Sequence, residues 1–140
     1  MPTVFTRIID GDIPGTFVWK DDRAVAFMSI NPMAPGHVLV VPRDEIDHWI
    51  DCSADLSRHL FDVAHVIGRA QQEAFACDRV GLVVAGYEVP HTHLHVIPTS
   101  SMADLSFANA ALTVEREALE AAAARIRAAL RAAGRIEASD

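Results

Sequence analysis

The sequence predicts an α+β fold of five short strands, one long helix covering the sheet they form, and an additional helix at the C-terminal end. Three patterns carry that reading. Short runs of β-branched and aromatic residues, punctuated by Gly, Pro, Asn and Asp, recur up to Pro98. One long apolar stripe with spacings of three and four separates the third run from the fourth. An alanine-rich segment with Glu early and Arg late follows the last.

Taken in order, Asp10-Gly11-Asp12-Ile13-Pro14-Gly15 reads as a turn. Phe17–Trp19 and Ala24–Met28 read as strands of a hairpin around the polar Asp21-Asp22-Arg23. Asn31-Pro32 and Ala34-Pro35-Gly36 break the chain, after which His37-Val38-Leu39-Val40-Val41, ending at Pro42, reads as a third and buried strand. Ser53 is the N-cap, with Asp55 in the first turn, of a helix whose stripe is Leu56, Leu60, Val63, Ile67, Ala70 and Ala74. Val80–Ala85 forms the fourth strand, Gly86-Tyr87-Glu88 a turn, and residues 92–97 the fifth strand, bracketed by Pro90 and Pro98. A helix from about Thr113 to Ala133 stops at Gly134, and the tail from Arg135 is expected to fray.

The 140 residues fit one domain, 1–140, with a core over about 3–107 and the C-terminal helix over about 113–133. No apolar stretch approaches the roughly 18 residues of a membrane span and no signal peptide is visible, so a cytoplasmic location is expected, with no membrane partner. Cys52 and Cys77 are isolated, which argues against a disulfide framework. A formal net charge of −7 without a Lys/Arg cluster argues against nucleic acid as a partner.

Three of the seven histidines fall in His91-Thr92-His93-Leu94-His95. On a strand, residues two apart share a face, so these three line one side while Thr92, Leu94 and Val96 line the other. A metal site is one use of such a row, but His91 and His95 would stand roughly 13 Å apart at Cα on an extended strand, and no CxxC or HExxH pattern adds ligands. Phosphate chemistry is the other: one imidazole attacks phosphorus while its neighbours serve the oxygens, provided that its far nitrogen is protonated and held. Single histidines such as His48, His59 and His65 carry no such pattern.

His91-Thr92-His93-Leu94-His95-Val96-Ile97 resembles the His-x-His-x-His motif of the histidine-triad (HIT) superfamily. Phe5-Thr6-Arg7-Ile8-Ile9-Asp10-Gly11-Asp12-Ile13-Pro14 is similar to the family's opening block, and Asp21-Asp22 with Ala26-Phe27-Met28-Ser29-Ile30-Asn31-Pro32-Met33-Ala34-Pro35-Gly36-His37-Val38-Leu39-Val40-Val41-Pro42 to its central one. The blocks cover about residues 4–98, and the length and opening resemble the HINT-like branch.

The resemblance implies the HIT-like fold, an antiparallel five-stranded sheet with a long helix packed on it, paired as a homodimer through a shared strand and helix face. It also implies a hydrolase or transferase at the α-phosphate of a purine nucleotide or nucleotide conjugate, typically a nucleoside phosphoramidate, through a covalent nucleotidyl-histidine and without a cofactor. Carried over by position, His93 is the nucleophile, the His91 carbonyl holds its other nitrogen, His95 binds a phosphate oxygen and His37 buttresses the row. The backbone near Val89 binds the same phosphate. Val4, Phe5, Ile8, Phe27, Ile30 and Leu39 form an apolar slot for the base, with Ser29 near the sugar.

Three departures qualify this. Ser29 stands where the family has an Asp that accepts from both ribose hydroxyls, which predicts weaker nucleoside selectivity. Thr3, Thr6 and Glu45 stand where some relatives bind zinc through two cysteines and a histidine, so no structural zinc is expected. Glu88 replaces a small hydroxyl before the triad; ionised it repels phosphate, protonated it donates, and it also reads as an exposed turn residue. The family's upstream asparagine is not evident in Val80–Ala85. Two competing functions remain: a nucleotide-binding or protein-interaction module with little turnover, which the changes at Ser29 and Glu88 favour, and a metal-dependent hydrolase sensitive to chelators.

Overall fold

Antiparallel pairing of neighbours in sequence builds most of the sheet. The computed structural model describes residues 1–140 and contains α1 (Val4–Ile9), β1 (Phe17–Lys20), β2 (Ala24–Met28), β3 (Val38–Pro42), α2 (Ala54–Ala74), β4 (Arg79–Val83), β5 (Leu94–Thr99) and α3 (Arg116–Ala132). The sheet order is β1-β2-β3-β5-β4, and every pairing is antiparallel. The predicted five-stranded architecture with two long helices is therefore the one observed.

Asp21 ties the first hairpin to α2. Its carboxylate accepts from Trp19 Nε1, from the N–H groups of Arg23 and Ala24, and from the His59 ring, each at 2.8 Å. Those bonds hold the carboxyl below its ordinary range even though burial pulls it up. α2 begins as the sequence predicts, with Ser53 Oγ accepting from Leu56 N–H at 3.1 Å. Its stripe buries Leu60, Val63, Ile67 and Ala70 against Ala26, Met28, Val38, Val40, Leu94 and Val96 on one face of the sheet. Each large aliphatic side chain so buried contributes roughly 1.5–3 kcal/mol. α3 packs on α2 and adds Ala123, Ile126 and Leu130 to the same core, so the C-terminal helix is part of the core and not an appendage to it.

Several element boundaries and one α-helix differ from the sequence reading. β5 starts at Leu94 and not at residue 92, because Pro90 has no N–H and Thr92 N–H is captured by Ile46 O at 2.7 Å, outside the ladder. β4 runs from Arg79 and ends at Val83, two residues short, since it pairs only with β5. The third strand begins at Val38, after His37 has closed a turn onto Ala34 O. α3 begins at Arg116 because residues 110–114 are held elsewhere, Ala111 N–H donating to Pro32 O at 2.9 Å. The helix α1 was not expected; six residues are too few for periodicity, and its only signal is Thr3, whose hydroxyl caps Thr6 N–H at 3.1 Å.

The tail does not fray. Lys20 N–H donates to Glu137 O at 3.0 Å and Ser139 N–H to Val18 O at 3.1 Å, so residues 137–139 cover the outer edge of β1. Arg127, buried on α3, locks this by donating to both Phe17 O and Ser139 O. The opposite edge, β4, stays open.

Candidate active site

The face of the sheet opposite α2 carries the site. Cross-strand register places Phe17, Phe27, Leu39, His95 and Val83 side by side on β1, β2, β3, β5 and β4. Two residues along, the turn after β2 brings Ser29 to His37, with Ser29 N–H donating to His37 O at 3.0 Å. Gly36 makes that turn: its φ is +89°, and a Cβ there would lie 2.6 Å from a Phe75 ring carbon. Gln71, fully buried on α2, fixes the same turn by donating to Gly36 O and Val96 O, each at 2.9 Å.

Hydrogen bonds assign a proton to each imidazole. Met33 N–H donates to His37 Nδ1 at 3.0 Å, so that nitrogen is the acceptor and the proton sits on His37 Nε2. His37 Nε2 in turn meets His95 Nδ1 at 2.9 Å, which makes His95 Nδ1 an acceptor and leaves the second proton of the chain on His95 Nε2. His93 Nδ1 lies 2.7 Å from His91 O, a group that only accepts, so His93 carries a proton on Nδ1 and in its neutral form presents Nε2 as a bare lone pair. The row thus offers one nucleophilic nitrogen and one N–H donor on adjacent rings, with centroids 4.9 Å apart.

Burial disfavours the charged forms of His37, His95 and His91. It pushes His37 down to about 3, with His95 and then His93 adding to the shift. It pushes His95 down to about 4, with His93 again contributing. His91 is also lowered by burial, although the Pro42 carbonyl and the Glu45 carboxylate pull the other way.

His91 does not line the cavity, contrary to the expectation of three histidines along one face. Its ring turns under α1, with Nε2 donating to Pro42 O at 2.7 Å and Nδ1 accepting from Thr3 Oγ1 at 2.7 Å. Phe5 separates it from the row, with centroids 5.8 Å from His91 and 5.0 Å from His93. Period two presupposes an extended chain, and the chain is extended in β5 only from Leu94.

Thr3, Thr6, Glu45 and His91 do come together, as hydrogen-bonding groups. Glu45 Oε1 accepts from Thr3 N–H at 2.6 Å, and bonds from Thr6 and Thr3 hold its carboxyl below the usual range. Two neutral hydroxyls, a carboxylate and an imidazole do not fit a structural zinc, which takes thiolate and imidazole ligands. Nowhere do three or more His, Cys, Asp or Glu side chains converge to hold a metal.

A cavity of about 860 Å³ opens over the row. Val4, Phe5, Ile8, Phe27, Ser29, Ile30, Leu39, Glu88, Val89, His37, His93 and His95, every site residue expected from sequence except His91, line it. Val89 N–H takes no backbone partner, whereas Val89 O accepts from His91 N–H at 2.8 Å. Glu88 is exposed at the rim.

The rest of the wall escaped sequence reasoning. It consists of Ile13–Thr16, Met28, Asn31, Met33, the strap residues 107–108 and 110–114, Arg116 and Leu119. Phe107 stands edge-on to His95 with centroids 5.1 Å apart, and Asn31 Nδ2 clamps the strap by donating to Ala111 O and Leu112 O at 3.2 and 3.0 Å. The only sequence signal for this is Asn31 itself, a polar amide in a turn.

A family model described as the HIT domain matches residues 10–102. The purine nucleoside phosphoramidase of Escherichia coli K12 is 36% identical over 101 residues, covering 68% of this chain and 85% of that one. Among solved structures, a Hit-like protein involved in cell-cycle regulation from Bartonella henselae superposes with a TM-score of 0.82 at 30% identity, covering 91% of this chain and 96% of that one. A zinc-bound histidine-triad protein from Mycobacterium smegmatis gives 0.81 at 26% identity, with 94% of each chain covered.

Proposed function

The chain belongs to the HIT domain family, and from that premise we propose that it hydrolyses purine nucleoside phosphoramidates, or related nucleotide conjugates, at the α-phosphate through a covalent nucleotidyl-His93. One observation carries the reading: the bare Nε2 of His93 beside the N–H of His95, both facing a cavity lined on its other side by apolar side chains.

The base enters the slot between Phe5 and Ile8 of α1 and Phe27 and Leu39 of the sheet. His95 Nε2–H and the free Val89 N–H donate to non-bridging phosphate oxygens, where charge accumulates in the transition state. His93 Nε2 gives its lone pair to phosphorus as the bond to the leaving nitrogen breaks, and the amine departs with a proton taken from solvent. The positive charge on the nucleotidyl-imidazole is met by the His91 carbonyl at Nδ1–H. Water then attacks phosphorus and gives up a proton to solvent, the bond to Nε2 breaks, the lone pair returns to His93, and the nucleoside monophosphate leaves.

We also infer a homodimer in the cytoplasm. The open edge of β4, with Leu82 45% exposed and Phe61 of α2 40% exposed, is the surface a second copy would cover. Sedimentation at a dimer mass supports this, and a monomer at micromolar concentration refutes it. No helix is long and apolar enough to cross a membrane.

Steady-state hydrolysis of adenosine 5′-phosphoramidate by wild type and His93→Ala tests the function. Turnover that the substitution abolishes is expected; equal rates overturn the nucleophile. The exposed Glu88 beside the phosphate favours a second reading, a nucleotide-binding module, which predicts tight binding of AMP by wild type without measurable turnover.

A further inference from the structure

We propose that the cavity contains a subsite for an anion carried on the ribose, and that its ligands are nucleotides with a second phosphate at the 2′ or 3′ position. The inference rests on the nucleotide-site reading above and adds a substrate class to it.

The cavity is near the upper end of the roughly 300–1,000 Å³ span of small-molecule sites, and the base slot and histidine row account for only part of its wall. Only two charged side chains line it, Glu88 and Arg116. Glu88 sits next to Val89 at the phosphate end.

Arg116 stands at the other end. It opens α3 four residues before Glu120, so the two share a helix face one turn apart. Glu120 Oε1 accepts from Thr16 Oγ1 at 3.3 Å, and Thr16 O accepts from Met28 N–H at 2.9 Å. That chain of contacts fixes the Arg116 end of α3 beside the end of β2, where Ser29 begins the turn. The strap reaches the same point, since Ala111 and Leu112 are bonded to Pro32 and Asn31. Arg116 makes no ion pair and no hydrogen bond within the chain, although Glu115 and Glu117 flank it; neither of those lines the cavity.

Ser29 supplies the other half of the argument. Its hydroxyl oxygen accepts from Asn31 N–H at 3.2 Å, so its hydrogen is free to donate into the cavity. A carboxylate at this position would hold a ribose diol and repel a phosphate; a hydroxyl with an unpaired arginine reverses both preferences. The same exchange separates dinucleotide sites, where an acid holds the 2′-hydroxyl and a nearby Arg accommodates a 2′-phosphate. Ser29 and Arg116 together therefore select a phosphorylated sugar over a plain one.

The test is binding of AMP, adenosine 2′,5′-bisphosphate and adenosine 3′,5′-bisphosphate to wild type and to Arg116→Gln by calorimetry. Because Arg116 is exposed and unpaired, the variant folds as wild type does. At least one bisphosphate should bind wild type about tenfold or more tightly than AMP, a preference that shrinks with added salt. Arg116→Gln should lose it while keeping AMP affinity within about threefold of wild type. Equal or weaker binding of both bisphosphates, or a preference that survives the substitution, overturns the subsite and leaves the nucleotide site intact. Failure of AMP itself to bind or compete overturns the nucleotide reading and the subsite with it.

Discussion

Acidification from about pH 7.5 to pH 5 should remove about 4 kcal/mol of stability, half of it through His37 and half through His95. Both rings are neutral in the folded chain, with values pushed to about 3 and about 4, whereas an unfolded histidine titrates near 6.5. The unfolded chain therefore binds more protons than the folded one anywhere below 6.5. Stability is complete above that value and falls by about 1.4 kcal/mol per pH unit per ring until the folded rings themselves protonate. At pH 5 each ring is about 1.5 units below its unfolded value, which is about 2 kcal/mol apiece. Against a typical total of about 5–15 kcal/mol, this is a large share. Urea unfolding at half-unit steps of pH measures it, and His37→Asn isolates one ring, because Asn can still accept from Met33 N–H without titrating. The slope should fall by about 1.4 kcal/mol per pH unit in the variant, whatever its absolute stability. A wild-type curve that is flat from pH 7.5 to 5, or an unchanged slope in His37→Asn, would refute the neutral buried pair.

Three further predictions concern positions where this chain leaves the family pattern or is sterically constrained. Ser29→Asp should tighten AMP binding roughly tenfold while leaving 2′,3′-dideoxy-AMP unaffected, read by calorimetry; a fall or no change for AMP removes Ser29 from the sugar site. The triple change Thr3→Cys, Thr6→Cys and Glu45→His should create a site with His91 that retains about one zinc per chain by elemental analysis, because these four positions already converge. Metal-free protein from zinc-supplemented growth would count against that convergence. Gly36→Ala should cost about 2–4 kcal/mol in thermal or urea unfolding, from positive φ and the overlap with Phe75. A neutral effect would mean that this turn is not strained.

The parts of the fold legible in the sequence are those marked by local chemistry. Ser53 with the stripe from Leu56 to Ala74 places α2, and the turns at Asp21–Arg23 and Asn31–Gly36 delimit β1, β2 and β3 to within a residue. The apolar side of the cavity was legible because motif and register coincide: Phe27, Leu39 and His95 are cross-strand neighbours. What escaped was set by long-range partners. The strap has no period of its own and is placed by Asn31, some 80 positions away in sequence. The tail looked free because its acceptors and donors, Val18 and Lys20, belong to the far edge of the sheet. His91 looked like a third member of the row until Pro90 and Ile46 took residues 90–92 out of the ladder.

Three identical side chains at period two thus acquire three different chemistries from their neighbours, not from their own identity. An imidazole offers two nitrogens and one proton, and whichever group holds the first nitrogen decides what the second can do. His93 meets a carbonyl, which can only accept, so its far nitrogen must be bare. His95 meets the Nε2–H of His37, whose own proton is placed by Met33 N–H, so its far nitrogen must carry hydrogen. His91 meets Thr3 on one side and Pro42 on the other and has no nitrogen left for a ligand. Two main-chain groups, His91 C=O and Met33 N–H, therefore set the polarity of the whole row. Both are peptide groups that a side-chain substitution elsewhere does not alter. The division between a bare nitrogen on one ring and an N–H on the next is for that reason a property of the backbone path through residues 33–37 and 89–95, and it holds only while that path does.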